Sequence, residues 1–228
     1  GVFAGCAALA QIRAADGNTA YRTENGLLYS KDLTTLLACP NAKTGTVQIP
    51  EGVAQICPEA FRGCGALTGA ALPDSVAVIG ESAFEDCTSL TGIRIPDQVA
   101  VIEQSTFSEC RKLSQVQLSE SITDIEVMAF SGCESLTELV IPDKVTRIGE
   151  VAFQACAGLT SITIPAGMRE IEDSAFIRCR NLQDVYYGGT KAQWDRIQIE
   201  PNGNQKLLNA ALHVTEDPEP EIPQEPVL

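Results

Sequence analysis

Between Leu159 and Ile164 apolar and polar residues alternate, with Ile162 and Ile164 on one face and Ser161 and Thr163 on the other. That is the period-two signature of a half-buried strand. Just upstream the period changes: Phe153, Cys156 and Leu159 are spaced by three, which predicts a short helical or 3-10 turn. Pro142 and Pro165 mark where strands stop, and Val145 to Ile148 supplies a second, shorter strand. Strand, short second strand and turn therefore make one unit, and no such unit can bury both of its sides alone.

The unit recurs. Phe61, Phe84, Phe107, Phe130, Phe153 and Phe176 are spaced by 23 residues, and cysteines follow three residues later at Cys64, Cys87, Cys110, Cys133, Cys156 and Cys179. Leucines keep the same register at Leu67, Leu90, Leu113, Leu136, Leu159 and Leu182, and an aliphatic closes the units at Leu72, Ile95, Leu118, Ile141 and Ile164. Equal coils must stack in register, so each column is expected to line the interior of a rod. A Phe preceded by Ala on an apolar arc reads as a core ladder rather than a ligand platform.

A period of 23 lies within the 20 to 29 residues of leucine-rich repeats and away from the multiples of six or nine of common parallel β-helices, the alternative architecture. The string Ile141-Pro142-Asp143-Lys144-Val145-Thr146-Arg147-Ile148-Gly149, continuing through Phe153 to Cys156 and Pro165, resembles the BspA-type class of bacterial leucine-rich repeats over about residues 1–187. The resemblance implies an α/β, right-handed leucine-rich-repeat solenoid with short concave strands, short helical or 3-10 turns and a C-terminal cap. It also implies a place on a bacterial surface, in a family associated with adhesion to host or matrix proteins. The position that holds Asn in the better-known leucine-rich pattern carries Ser75, Gln98, Ser121, Lys144 and Gly167, so an asparagine ladder is not expected.

Phe3, Cys6 and Leu9 begin an earlier coil, but Phe61 lies 58 residues on, two periods plus 12 residues. The excess predicts an insertion near residues 16–45, and the apolar runs either side of Lys31-Asp32 read as a hairpin that covers the N-terminal sheet edge. After Leu182, Gly188-Gly189 replaces the proline and Thr190 is expected to cap a short helix through Ile197. Trp194, Leu207, Leu208, Leu212 and Val214 then complete an end cap over residues 188–215. Residues 216–228 hold five acids, four prolines and no base, the composition of an extended linker.

Composition narrows the function classes. A formal charge of −14 with no basic stripe disfavours nucleic acid and anionic membrane surfaces, and no apolar run is long enough to span a bilayer. A monomer is expected. Nine cysteines invite a metal or disulfide reading, but no Cys-x-x-Cys pair occurs, and the column is better read as buried free thiols. Cys39 and Cys57, off the column, are the one pair for which a disulfide is entertained. His213 is the only histidine and has no nucleophile motif near it, which disfavours a triad or a multi-histidine metal site. A hydrolase built on two carboxylates is the weak enzymatic alternative, and neither cofactor nor metal is implied.

What varies from coil to coil is the outward half of each strand. One file runs Thr46, Gly69, Gly92, Gln115, Glu138, Ser161, Asp184, and beside it runs Gln48, Ala71, Arg94, Gln117, Val140, Thr163, Tyr186. A fixed interior with a free exterior is the arrangement of a recognition scaffold. The C-terminal part, Arg94, Gln115, Gln117, Glu138, Val140, Ser161, Thr163, Asp184 and Tyr186, is the candidate ligand-binding patch for a host or matrix protein, or a glycan. The chain is thus expected to be an extracellular, surface-bound or secreted recognition module. A structural spacer presenting another domain is the rival reading.

Overall fold

A computed structural model describes residue 3 and residues 5–216. The linker reading falls, but for Glu216, outside the described residues. An N-terminal meander comprises β1 (Tyr21–Glu24), β2 (Leu27–Ser30) and β3 (Thr35–Ala38). Each following coil then contributes one strand to each of two sides of the rod, an even-numbered and an odd-numbered file. These are β4 (Gly45–Gln48) and β5 (Gln55–Ile56), β6 (Leu67–Ala71) and β7 (Val78–Ile79), β8 (Gly92–Arg94) and β9 (Val101–Ile102). Next come β10 (Gln115–Gln117) and β11 (Asp124–Ile125), β12 (Glu138–Val140) and β13 (Arg147–Ile148), β14 (Ser161–Ile164) and β15 (Glu170–Ile171). The chain ends with β16 (Asp184–Tyr187), α1 (Lys191–Trp194), β17 (Gln198–Ile199), α2 (Gln205–Leu208) and β18 (Ala211–His213).

From β4 on, even-numbered strands pair with even and odd with odd, all parallel, with Ile162 opposite Val185 and Ile125 opposite Ile148; the odd file is interrupted between β7 and β9 and the even file between β10 and β12. The period of 23 sets this register, because each inward side chain meets its equivalent one coil along. The two strand files close on an apolar interior in which Phe61 to Phe176 are each fully buried. Successive Phe rings stack at 4.7 to 5.6 Å with interplanar angles of 3° to 17°.

The third side of each coil, the Phe-to-Cys arc, is not a helix. It is a run of turns closed by i to i+3 bonds, such as Cys133 N to Phe130 O and Leu136 N to Cys133 O. Two residues per coil sit in the left-handed region. One column is Glu59, Ser82, Ser105, Met128, Val151 and Ser174, at φ of 50° to 58°; the other is Gly63, Asp86, Glu109, Gly132, Ala155 and Arg178, at 55° to 75°. These reversals aim alternate amides along the rod, so that Phe130 N donates to Ala152 O and Gly132 N to Gln154 O in the next coil. Backbone groups on this arc are thereby paired between coils as in a sheet, which a helix would not allow.

The thiols complete the arc. Cys87, Cys110, Cys133, Cys156 and Cys179 each donate to the carbonyl of the Phe one coil back, at 3.0 to 3.3 Å. A hydrogen-bonded column thus runs along the rod without asparagine. All nine cysteines are free, so the disulfide entertained between Cys39 and Cys57 is not formed: Cys39 is buried against the first full coil, while Cys57 is only half-buried.

At the N-terminal end the insertion is a three-stranded meander, not a simple hairpin: β1 and β2 are antiparallel, β2 and β3 are antiparallel, and β3 joins β5 in parallel. The extra turn is Asn25-Gly26, at φ of 53° and 82°, the dipeptide that two-residue hairpins favour. At the other end Thr190 caps α1, whose Gln193 side chain returns the bond to the Thr190 amide. That helix stops at Trp194, three residues short of Ile197. Trp194 packs edge-on to Tyr187 at 5.3 Å. Among the described residues no helix is long and apolar enough to cross a membrane.

Candidate groove on the even-numbered sheet

The period-two pattern that buries Ile93, Leu139, Ile162 and Val185 turns the alternate side chains outward. Over the even-numbered strands these side chains line an open groove of about 900 Å³. Strand pairing sets neighbours within each outward file side by side: Gln115 beside Gly92, Gln117 beside Arg94, Glu138 beside Ser161, and Val140 beside Thr163. Thr163 is in turn beside Tyr186. Arg94, Gln115, Gln117, Glu138, Val140, Ser161, Thr163 and Tyr186 all line the groove. Asp184, one position along from Ser161, lies on the same sheet but outside that lining.

The side chains differ in how free they are. Arg94 is held by Asp74 at 2.7 Å and approached by Asp97 at 3.6 Å, which neutralises the one base of the groove lining. Tyr186, 46% exposed, stacks on His213 at 4.5 Å, and His213 in turn hydrogen-bonds Asp184 at 2.8 Å. Asp184 therefore serves to orient the aromatic pair. Val140, 67% exposed, is the most exposed large apolar side chain among the described residues.

Sequence reasoning did not place Val116, Leu118, Glu120 and Pro142 in the groove that they line, and Leu118, expected inside with its column, is part-exposed there; nor did it set His213 beside Tyr186. One signal was available: at Leu118-Ser119 the unit lacks the proline found after Ile95, Ile141 and Ile164. Nothing in the pattern marks His213, because the cap in which it lies does not repeat.

A family profile described as "BspA type Leucine rich repeat region" matches in six copies, over residues 37–156 and 77–196. Among solved structures, a leucine-rich cell surface protein of Faecalibacterium prausnitzii is 30% identical, with a TM-score of 0.62 over 86% of this chain and 46% of that one. A leucine-rich-repeat protein of Bacteroides ovatus is 32% identical, with a TM-score of 0.63 over 77% of this chain and 47% of that one. A third, from Eubacterium ventriosum, shares the fold at a TM-score of 0.77 and 24% identity, over 96% of this chain and 57% of that one. The chain thus spans about half the length of these neighbours. No curated protein matches it.

Proposed function

Since the chain belongs to the BspA-type leucine-rich-repeat family, we propose that it is a non-catalytic recognition module of a bacterial cell surface, binding a protein ligand across the groove on its even-numbered sheet. The observation that carries this reading is the contrast between a repeated interior and a groove whose lining changes chemistry from coil to coil. A surface kept only for solubility has no need of a contiguous hollow in which Val140 and Tyr186 stay exposed. Protein is favoured over glycan because the lining joins exposed apolar Val140 to an aromatic anchor, Tyr186. A likeness to a protein named for the cell surface supports the location.

The test is binding of the chain to a panel of purified matrix and epithelial surface proteins, with and without alanine at Arg94, Glu138 and Tyr186. The triple variant should lose most of the affinity of any partner found while keeping its thermal midpoint. If the variant binds every partner as well as the unaltered chain, while deletion of the solenoid from the parent cell abolishes attachment, the spacer reading replaces this one.

A further inference from the structure

The groove is not uniform along the rod. Between β10 and β12 the even-numbered sheet loses its ladder, while the odd-numbered sheet stays paired through the same coils, from β9 through β11 to β13. The coil of β10 is also where the inward positions open. Val116 is part-exposed although its equivalents Ile93 and Leu139 are only 6% and 4% exposed. Leu118 is likewise part-exposed where Ile95 and Ile141 are 1% and 2% exposed. Ser119, in the place of proline, turns its hydroxyl onto the Val99 carbonyl at 3.1 Å.

Part-exposed Val116 and Leu118 on one side of the break and exposed Val140 on the other all line the groove, and make this stretch of it an apolar notch. Glu120 and Glu138, from adjoining coils on either side of the break, line the groove beside it. Neither carboxylate has an ion-pair partner among the described residues. Arg94 offers them none, being held by Asp74 and Asp97.

We infer that this notch receives a lysine or arginine side chain from an extended segment of a protein partner. The aliphatic stem lies on Val116, Leu118 and Val140, and the cationic head sits between Glu120 and Glu138. Long cationic side chains combine an apolar stem with a charged tip, which is the pairing the notch presents. An acidic segment would meet two unpaired carboxylates on a chain of net charge −14. A purely apolar segment would strip water from those carboxylates and return no partner. Tyr186, two coils along the same file from Val140, offers a second, aromatic anchor. The assignment rests on the groove reading above and adds the chemistry of the ligand to it.

The experiment pans a displayed library of random peptides against the intact chain. Clones are then rebound to a charge-reversed variant, Glu120→Lys with Glu138→Lys, and to a groove-filling variant, Thr163→Trp. None of the three positions is buried, so both variants should keep the circular dichroism and thermal midpoint of the unaltered chain. Clones lost on Thr163→Trp should carry Lys or Arg beside an aliphatic or aromatic residue, and should bind the charge-reversed chain at least about tenfold more weakly. Groove-dependent clones without that residue preference, or basic clones that hold equally well to the reversed chain, overturn the inference and leave the groove reading standing. A library that yields no clone sensitive to Thr163→Trp overturns the groove reading itself, and the inference with it.

Discussion

A thiol in the interior of this rod is a hydrogen-bond donor before it is a nucleophile. Burial pushes the ionisation of Cys87, Cys110 and Cys133 well above the ordinary thiol range, so each keeps the proton that it shares with a Phe carbonyl. In a native thiol titration, exposed Cys6 and half-buried Cys57 should react first, and the column should react only once the chain unfolds. Cys133→Ala should cost about 1 to 2 kcal/mol, as a lost hydrogen bond and a small void, by denaturant unfolding. Glu103 shows the opposite economy. Desolvation, reinforced by Glu126 and Glu81, raises its pKa, so folding penalises the ionised form. That penalty is absent below the unfolded-state pKa and fully present once pH has risen above the raised folded value. Glu103→Gln should therefore stabilise the chain at neutral pH by a few tenths of a kcal/mol, a gain that disappears in melts at a pH where the carboxyl is protonated in both states.

The strands are short enough that neighbours, not intrinsic preference, decide what each segment does. Much of this was legible: the 23-residue columns fixed which side chains face inward, from Phe61 to Phe176 and from Cys64 to Cys179. The outward files followed from strand alternation alone. The Phe-to-Cys arc was legible only as a tight helical or 3-10 turn, because spacing by three is shared by a helix and by successive turns. Most of the residues that reverse the backbone there, Glu59, Met128 and Val151 among them, carry no glycine or asparagine signature; only Gly63 and Gly132 do. Val151, β-branched at φ 50°, is the costliest of these. Val151→Asn should raise stability by about 1 kcal/mol, since Asn tolerates that region; an unchanged or lowered denaturation midpoint would count against the strain. The break in the even-numbered sheet was only hinted at, by the proline missing at Ser119, because how neighbouring coils settle against each other is not written in the repeat. Amides of Thr137 and Glu138 on its C-terminal side should exchange hydrogen faster than those of Thr160 and Ser161, which bond to the preceding coil.

Across the whole molecule, cohesion is shared between neighbours only, as each coil touches the one before and the one after. Replacing Phe130 by Ala should cost about 3 to 5 kcal/mol, and because the stacked rings are interrupted at mid-column, unfolding should separate into two transitions in calorimetry. An unchanged single transition would show that the two sheets alone keep the coils coupled. The nearest-neighbour design also bears on how the rod carries force. Tension applied between its ends loads the inter-coil hydrogen bonds along their own direction, so they yield in series rather than together. The junction of the coils of Gln115 and Glu138 has one ladder, and so has that of the coils of Gly69 and Gly92, where β7 and β9 are unpaired; the others from β4 to β17 have two. A pulled rod would bend open at these two places first, at the former as a hinge on its intact odd-numbered side, widening the notch between Glu120 and Glu138.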